Sequence, residues 1–133
     1  MPVSENIREQ VRTRAKNRCE YCLKFNGIDI VKHQIDHIRA IKHRGEDSLS
    51  NLALACSVCN LMKGDNLAGW DDITDDVVRL YHPRIDKWSE HFEMDNAFIM
   101  GLTPIGRVTV YVLDMNNPFQ LWSRKVMLDA GLF

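Results

Sequence analysis

The chain predicts an α+β fold, a small cysteine-stapled module followed by a mixed hairpin-and-helix C-terminal extension. Three observations carry this. All four cysteines lie in the first half, in two pairs around a β-rich run. Apolar residues recur at helical spacing near both ends of the chain. Between the helical stretches, short apolar runs are interrupted by turn residues such as Asn26-Gly27 and Asn96.

Element by element, Ser4 is a good N-cap and Ile7, Val11 and Ala15 recur every four residues, which predicts a helix over about 4–17. Its outer face carries Arg8, Arg12, Arg14 and Lys16, a basic surface that suits either phosphate contact or solvent. Ile28, Ile30, Ile35 and Ile38 lie in a β-rich run, and a loop with Gly45, Ser48 and Ser50 follows. Residues 51–55 read as a short ordered run, and Ser57 caps a helix over about 57–65 that Gly64 helps to end. An acidic connection, Trp70 to Asp76, marks the expected boundary between a module of residues 1–66 and an extension of residues 67–133. In the extension, residues 91–95 and 97–100 form a hairpin around Asn96. Thr103-Pro104 starts a helix with Ile105, Val108, Val112 and Met115 inward, although Val108, Val110 and Val112 also alternate as a strand would. Asn117-Pro118 starts a last helix with Phe119, Trp122, Val126 and Ala130 inward.

The 133 residues, 45% of them hydrophobic, suffice for one domain with its own core, or for a small module plus an extension. No apolar run approaches the roughly 18 residues that span a bilayer, and the first residues lack the basic-then-apolar pattern of a secretory leader. A soluble, cytoplasmic protein without a membrane partner is expected. Net charge is −1, yet residues 1–66 carry +3 and residues 67–133 carry −4, so a polyanion should prefer the first half.

The cysteine pairs are Cys19-Glu20-Tyr21-Cys22 and Cys56-Ser57-Val58-Cys59, with 33 residues between them. Two CxxC knuckles in a chain without a leader suit a tetrahedral four-thiolate zinc site better than disulfides, which a cytosol would reduce. A redox CxxC and chance buried thiols are the alternatives. Four thiolates and one Zn²⁺ leave a formal charge of −2, which Arg18, Lys24 and Lys63 are placed to offset. Such a site contributes about 10 kcal/mol or more to folding.

Between the knuckles, Asp36-His37 is followed by Asn51 after thirteen residues and by Asn60 after eight more. With the knuckles, this pattern, IDHIRAIKHRGEDSLSNLALACSVCNLMKGDN, resembles the HNH endonucleases of the ββα-metal class over about residues 18–66. The tail segments HPRIDKWSEHF and GLTPIGRVTV resemble an extension of some bacterial members. The resemblance implies a zinc-stapled ββα-metal module that cleaves DNA mainly through phosphate contacts, leaving 5′-phosphate and 3′-hydroxyl ends. His37 would be the general base, as an imidazole of ordinary pKa about 6.5 suits. Asp36 and Asn60 would hold one hard divalent cation, Mg²⁺ or Mn²⁺, and Asn51 would fix the His37 loop through backbone hydrogen bonds. Many members carry a second histidine where this chain has Asn60. Arg39, His43 and Lys63 are the expected phosphate contacts, and His33 is expected to face solvent from a strand.

Adjacent residues of a regular strand point to opposite faces. The shared role of Asp36 and His37 therefore predicts a strand that ends or bulges at about Asp36. The rival reading is a non-catalytic zinc-finger module binding nucleic acid or protein. A third is a zinc scaffold that assembles through its acidic tail.

Overall fold

In the computed structural model, which describes residues 3–133, helices alternate with three small antiparallel strand pairs. The first helix, α1 (Glu5–Arg14), starts at Ser4, whose hydroxyl accepts the Ile7 N–H at 3.3 Å. Its apolar stripe buries Val11 against Leu52 and Leu54, with Ile7, Ala15 and Ile35 around them. Each such side chain contributes about 1.5–3 kcal/mol. Lys16 and Asn17 then take left-handed backbone angles and end the helix.

Strand β1 (Gln34–His37) pairs with β2 (Leu52–Ala55) in the register 34↔55, 35↔54, 36↔53 and 37↔52. The strand is shorter than the β-rich run suggests, and the isoleucines at 28 and 30 lie in turns before it. β2 is buried on both faces: Leu52 and Leu54 meet α1, while Ala53 and Ala55 belong to the core around the cysteines. By this register Asp36 lies on the cysteine side and His37 on the α1 side. The expected break at Asp36 does not occur. Pairing is regular through His37, and the Ile38 N–H still reaches the Asn51 carbonyl at 2.8 Å.

A loop over 38–51, with 3₁₀ turns at Ile41–His43 and Leu49–Asn51, joins the two strands. Gly45 packs against its own loop so closely that a Cβ would fall 1.6 Å from the Arg39 carbonyl oxygen. Arg14 ties the loop's far end to α1, donating to the carbonyls of Leu49 and Leu52 at 2.8 and 2.6 Å. Helix α2 (Ser57–Lys63) follows β2. Its N-cap is Cys56 rather than the expected Ser57, the sulfur accepting the Cys59 N–H, and Gly64 closes it at φ +50°.

The acidic stretch expected as a connection is the turn of a hairpin, β3 (Ala68–Asp71) with β4 (Asp76–Arg79). A short helix α3 (Trp88–His91) leads into a second hairpin, β5 (Phe92–Asp95) with β6 (Phe98–Gly101), which turns at Asn96 as predicted. Residues 104–112 are helical, not a strand: α4 (Pro104–Val112) starts at Thr103, whose hydroxyl accepts the Gly106 N–H. The last helix is α5 (Pro118–Asp129), capped by Asn117. Its face is inverted relative to expectation, with Phe119 and Trp122 47% and 60% exposed while Gln120, Ser123, Arg124 and Met127 are buried.

One apolar core runs from the cysteines through Tyr21, Ile38, Ala53 and Ala55 to Tyr81, Phe92, Ile99, Val108, Leu113 and Met115. Edge-on contacts link Tyr21 to Tyr81 and Tyr81 to Phe92. No helix among the described residues is long and apolar enough to cross a membrane.

Candidate active site and four-cysteine centre

The first knuckle is zipped onto β2, because the Glu20 N–H donates to the Leu54 carbonyl and the Glu20 carboxylate accepts the Leu54 N–H, each at 2.8 Å. Leu23, at φ +68°, folds the chain back so that its N–H meets the Cys19 carbonyl. The second knuckle lies at the start of α2. In each, the sulfur of the first cysteine accepts the N–H of the second at 3.4 Å. These two devices bring the sulfurs of Cys19, Cys22, Cys56 and Cys59 within 4.8 Å of one another, all buried. Cys22 and Cys56 sulfurs are 3.6 Å apart. Zinc–sulfur bonds of about 2.3 Å at tetrahedral angles put sulfurs about 3.8 Å apart, so the cluster fits a four-coordinate ion.

The cations expected to offset such a centre are engaged elsewhere. Lys24 pairs with Asp29, Lys63 with Asp36, and Arg18 donates to the Leu23 carbonyl. Two residues of α5 that sequence reasoning placed on no site approach instead. Gln120 Nε2 lies 3.5 Å from the Cys56 sulfur and 3.7 Å from that of Cys22. Burial pulls the Arg124 guanidinium below its ordinary range, while the sulfurs of Cys22, Cys59 and Cys56 pull it back up.

Beside this centre, Asp36 is only 4% exposed. Its Oδ2 accepts the Tyr21 hydroxyl at 2.7 Å, and its Oδ1 lies 3.3 Å from Lys63 Nζ. Burial pushes the Asp36 carboxyl above its ordinary value, against the pull of Lys63 and Tyr21. Lys63, expected to present its ammonium to a phosphate, is 1% exposed, and that ammonium also donates to the His37 carbonyl at 3.0 Å. Asn60, three residues earlier on α2, donates its amide N–H to Gln34 Oε1. Its oxygen accepts no hydrogen bond among the described residues.

His37, across the strand from Asp36, places Nε2 2.6 Å from Asp47 Oδ1 on the 38–51 loop. Asn51 straps that loop: its Oδ1 accepts the Arg39 N–H at 2.9 Å, and its Nδ2 donates to the carbonyls of Arg39 and Glu46 at 3.0 and 2.8 Å. Although they lie on opposite faces, Asp36, His37 and Asn60 line one open cleft of about 310 Å³, together with Ile41, Lys42 and Asp65. Among the described residues β1 has a strand partner on one side only, so a cleft along its other edge can meet residues of both faces. Arg39 is exposed and His43 half-buried in the first 3₁₀ turn. His33, expected to face solvent, is buried with Nε2 2.8 Å from the Lys24 carbonyl oxygen.

Asp47 was missed because an aspartate within Gly-Glu-Asp-Ser reads as an ordinary loop residue. Tyr21, between two cysteines, gave no sign that it would face a carboxylate. Residues 19–66, over a third of the chain, match the family model described as HNH endonuclease. No curated protein and no solved structure matches the chain significantly.

Proposed function

We propose that the protein, whose residues 19–66 match the HNH endonuclease family model, is a metal-dependent endonuclease that hydrolyses phosphodiester bonds in DNA. In this reading a structural zinc sits on Cys19, Cys22, Cys56 and Cys59. The observation that carries the catalytic reading is the cleft that Asp36, His37 and Asn60 line together.

The donor chemistry fits a second, hard cation. Asp36 offers carboxylate oxygen, and Asn60, whose amide nitrogen is spent on Gln34, offers its oxygen. Oxygen donors of this kind select Mg²⁺ or Mn²⁺ over softer ions. What such an ion supplies when bound is Lewis acidity toward a non-bridging phosphate oxygen and the leaving 3′ oxygen.

The remaining work falls to the chain. Asp47 accepts the Nε2 proton of His37, which leaves Nδ1 as the ring's free base. Nδ1 takes a proton from water, and the water oxygen attacks phosphorus opposite the 3′ oxygen. Asn51 acts at one remove, holding the backbone of residue 39 and with it the end of the His37 strand. Arg39 and His43 lie on the same 38–51 loop that lends Ile41 and Lys42 to the cleft, and contacts from them to backbone phosphates would position DNA without reading its sequence. Lys63 would join them only by leaving Asp36.

That last contact favours a second reading, a non-catalytic zinc module that binds nucleic acid or protein. Both Asp36 oxygens already have partners, a hydroxyl and an ammonium. His37→Ala separates the two readings in a plasmid-nicking assay with Mg²⁺ or Mn²⁺. The nuclease reading expects nicking to fall by about 10²–10⁴ while zinc content and melting temperature hold. Equal nicking by both proteins, or none by either across metals and substrates, would leave the zinc module standing.

A further inference from the structure

Helix α5 turns its polar face inward. Phe119, Trp122 and Val126 are exposed while Gln120 and Arg124, one turn apart, are fully buried. Burying an amide and a guanidinium costs free energy unless their N–H groups find acceptors. Three of the guanidinium's hydrogen bonds are plain: Nε donates to the Ala97 carbonyl at 2.7 Å, and Nη2 to the Met115 carbonyl and Asn116 Oδ1 at 2.6 and 3.0 Å. Nη1 is buried without a hydrogen-bond partner among the described residues. Among the described residues the Gln120 amide nitrogen has no acceptors but sulfur, at 3.5, 3.7 and 3.9 Å from Cys56, Cys22 and Cys59. Neutral thiols are weak acceptors, whereas four thiolates around a divalent ion carry a net charge of −2 and reward the Gln120 donor.

We propose that Gln120 forms the outer shell of the four-cysteine zinc centre, donating its side-chain N–H groups to the thiolates. Zinc retention and docking of α5 are thereby one coupled event, although α5 lies outside the segment that matches the HNH family. The proposal rests on the reading of the cysteine cluster as a zinc site. Lys24 and Lys63 do not compete for the role, since each is paired with a carboxylate.

The test uses the full chain. Zinc content of the purified protein is measured first, and then zinc transfer to the chromogenic chelator 4-(2-pyridylazo)resorcinol. Arg124 ties residues 97 and 115, so the informative variants are at Gln120, whose side-chain nitrogen has only sulfur partners among the described residues. Zinc affinity is expected to fall about 10- to 100-fold in Gln120→Leu, in line with other outer-shell losses. It should fall further in Gln120→Glu, which sets a carboxylate against the same sulfurs. Circular dichroism of the zinc-loaded variants reports folding. Hydrogen exchange of the wild-type protein, independent of any variant, should show α5 amides losing protection when zinc is stripped. Wild-type transfer by a folded Gln120→Leu, a tighter Gln120→Glu than Gln120→Leu, or unchanged α5 protection after stripping overturns the proposal alone. Wild-type protein lacking an equivalent of zinc overturns the zinc reading and the proposal with it.

Discussion

His37 and Asp47 stand ten residues apart and meet only because an irregular loop returns between β1 and β2. If Asp47 holds the imidazole in the tautomer that leaves Nδ1 free, Asp47→Asn should slow Mg²⁺-dependent nicking without loss of zinc or melting temperature. The expected drop is about 10- to 100-fold, short of the about 10²–10⁴ for losing the base itself. A wild-type nicking rate in Asp47→Asn would remove Asp47 from the mechanism. At this scale the cysteine ligand set was legible in the sequence, because metal geometry imposes spacing and spacing survives in one dimension. The orientation of single polar side chains was not. Lys63 lies at i+3 from Asn60, and spacing alone sends its ammonium to solvent and phosphate as readily as inward to Asp36. His33 was misplaced for a related reason: the strand begins one residue after it, and its ring closes onto the Lys24 carbonyl.

Among the elements, the 38–51 loop carries Asp47 and Asn51 and lends Ala40, Ile41 and Lys42 to the cleft. Gly45 is its tightest point. A methyl group there would lie 1.6 Å from the Arg39 carbonyl oxygen and 2.9 Å from that of Ala40, so the backbone must give way. The Arg39 carbonyl is also the acceptor of Asn51, which makes the displacement reach the strap. Gly45→Ala should therefore cost about 1–3 kcal/mol in urea denaturation, a usual range for backbone strain, and lower nicking at least as much as Asp47→Asn. Full zinc content is expected, since the knuckles do not touch residue 45. Unchanged stability would mean that the loop yields freely and is not a rigid scaffold. Elements with their own punctuation were legible: Ser4, Thr103-Pro104 and Asn117-Pro118 mark helix starts through caps that act within three residues. The β3–β4 hairpin was not. Its facing pair Trp70 and Val77 is exposed, and its turn is a run of acids, so neither alternation nor a glycine turn announces it. Nor was the inward face of α5, because Gln120 meets a cysteine cluster and Arg124 meets the carbonyls of Ala97 and Met115, the cysteines lying far away in sequence.

For the molecule as a whole, two ion pairs bind the C-terminal elements together and set its behaviour in acid. Arg107 of α4 makes a two-pronged contact with Asp71 of β3 at 2.9 and 3.0 Å, and Arg79 makes another with Asp86, both bonds at 2.8 Å. Hydrogen bonds from Arg107 and then Thr74 hold the Asp71 carboxyl well below its ordinary range, and those from Arg79 hold Asp86 below it. A carboxyl depressed on folding binds fewer protons folded than unfolded. Its contribution is therefore complete above the unfolded pKa of about 3.9 and is lost as pH falls through the lower folded value. Zinc held by the four cysteines would also be released in acid as the thiolates gain protons, alike in every variant. The Asp71 share is isolated by comparing wild type with Arg107→Met, which removes the guanidinium but keeps an apolar stem. The urea midpoints of the two proteins should differ at pH 7 and begin to converge at pH 3, where the unfolded chain takes up the proton that the folded Asp71 still refuses. A gap of the same size at both pH values would mean that Arg107 stabilises α4 on β3 through packing and not through its charge.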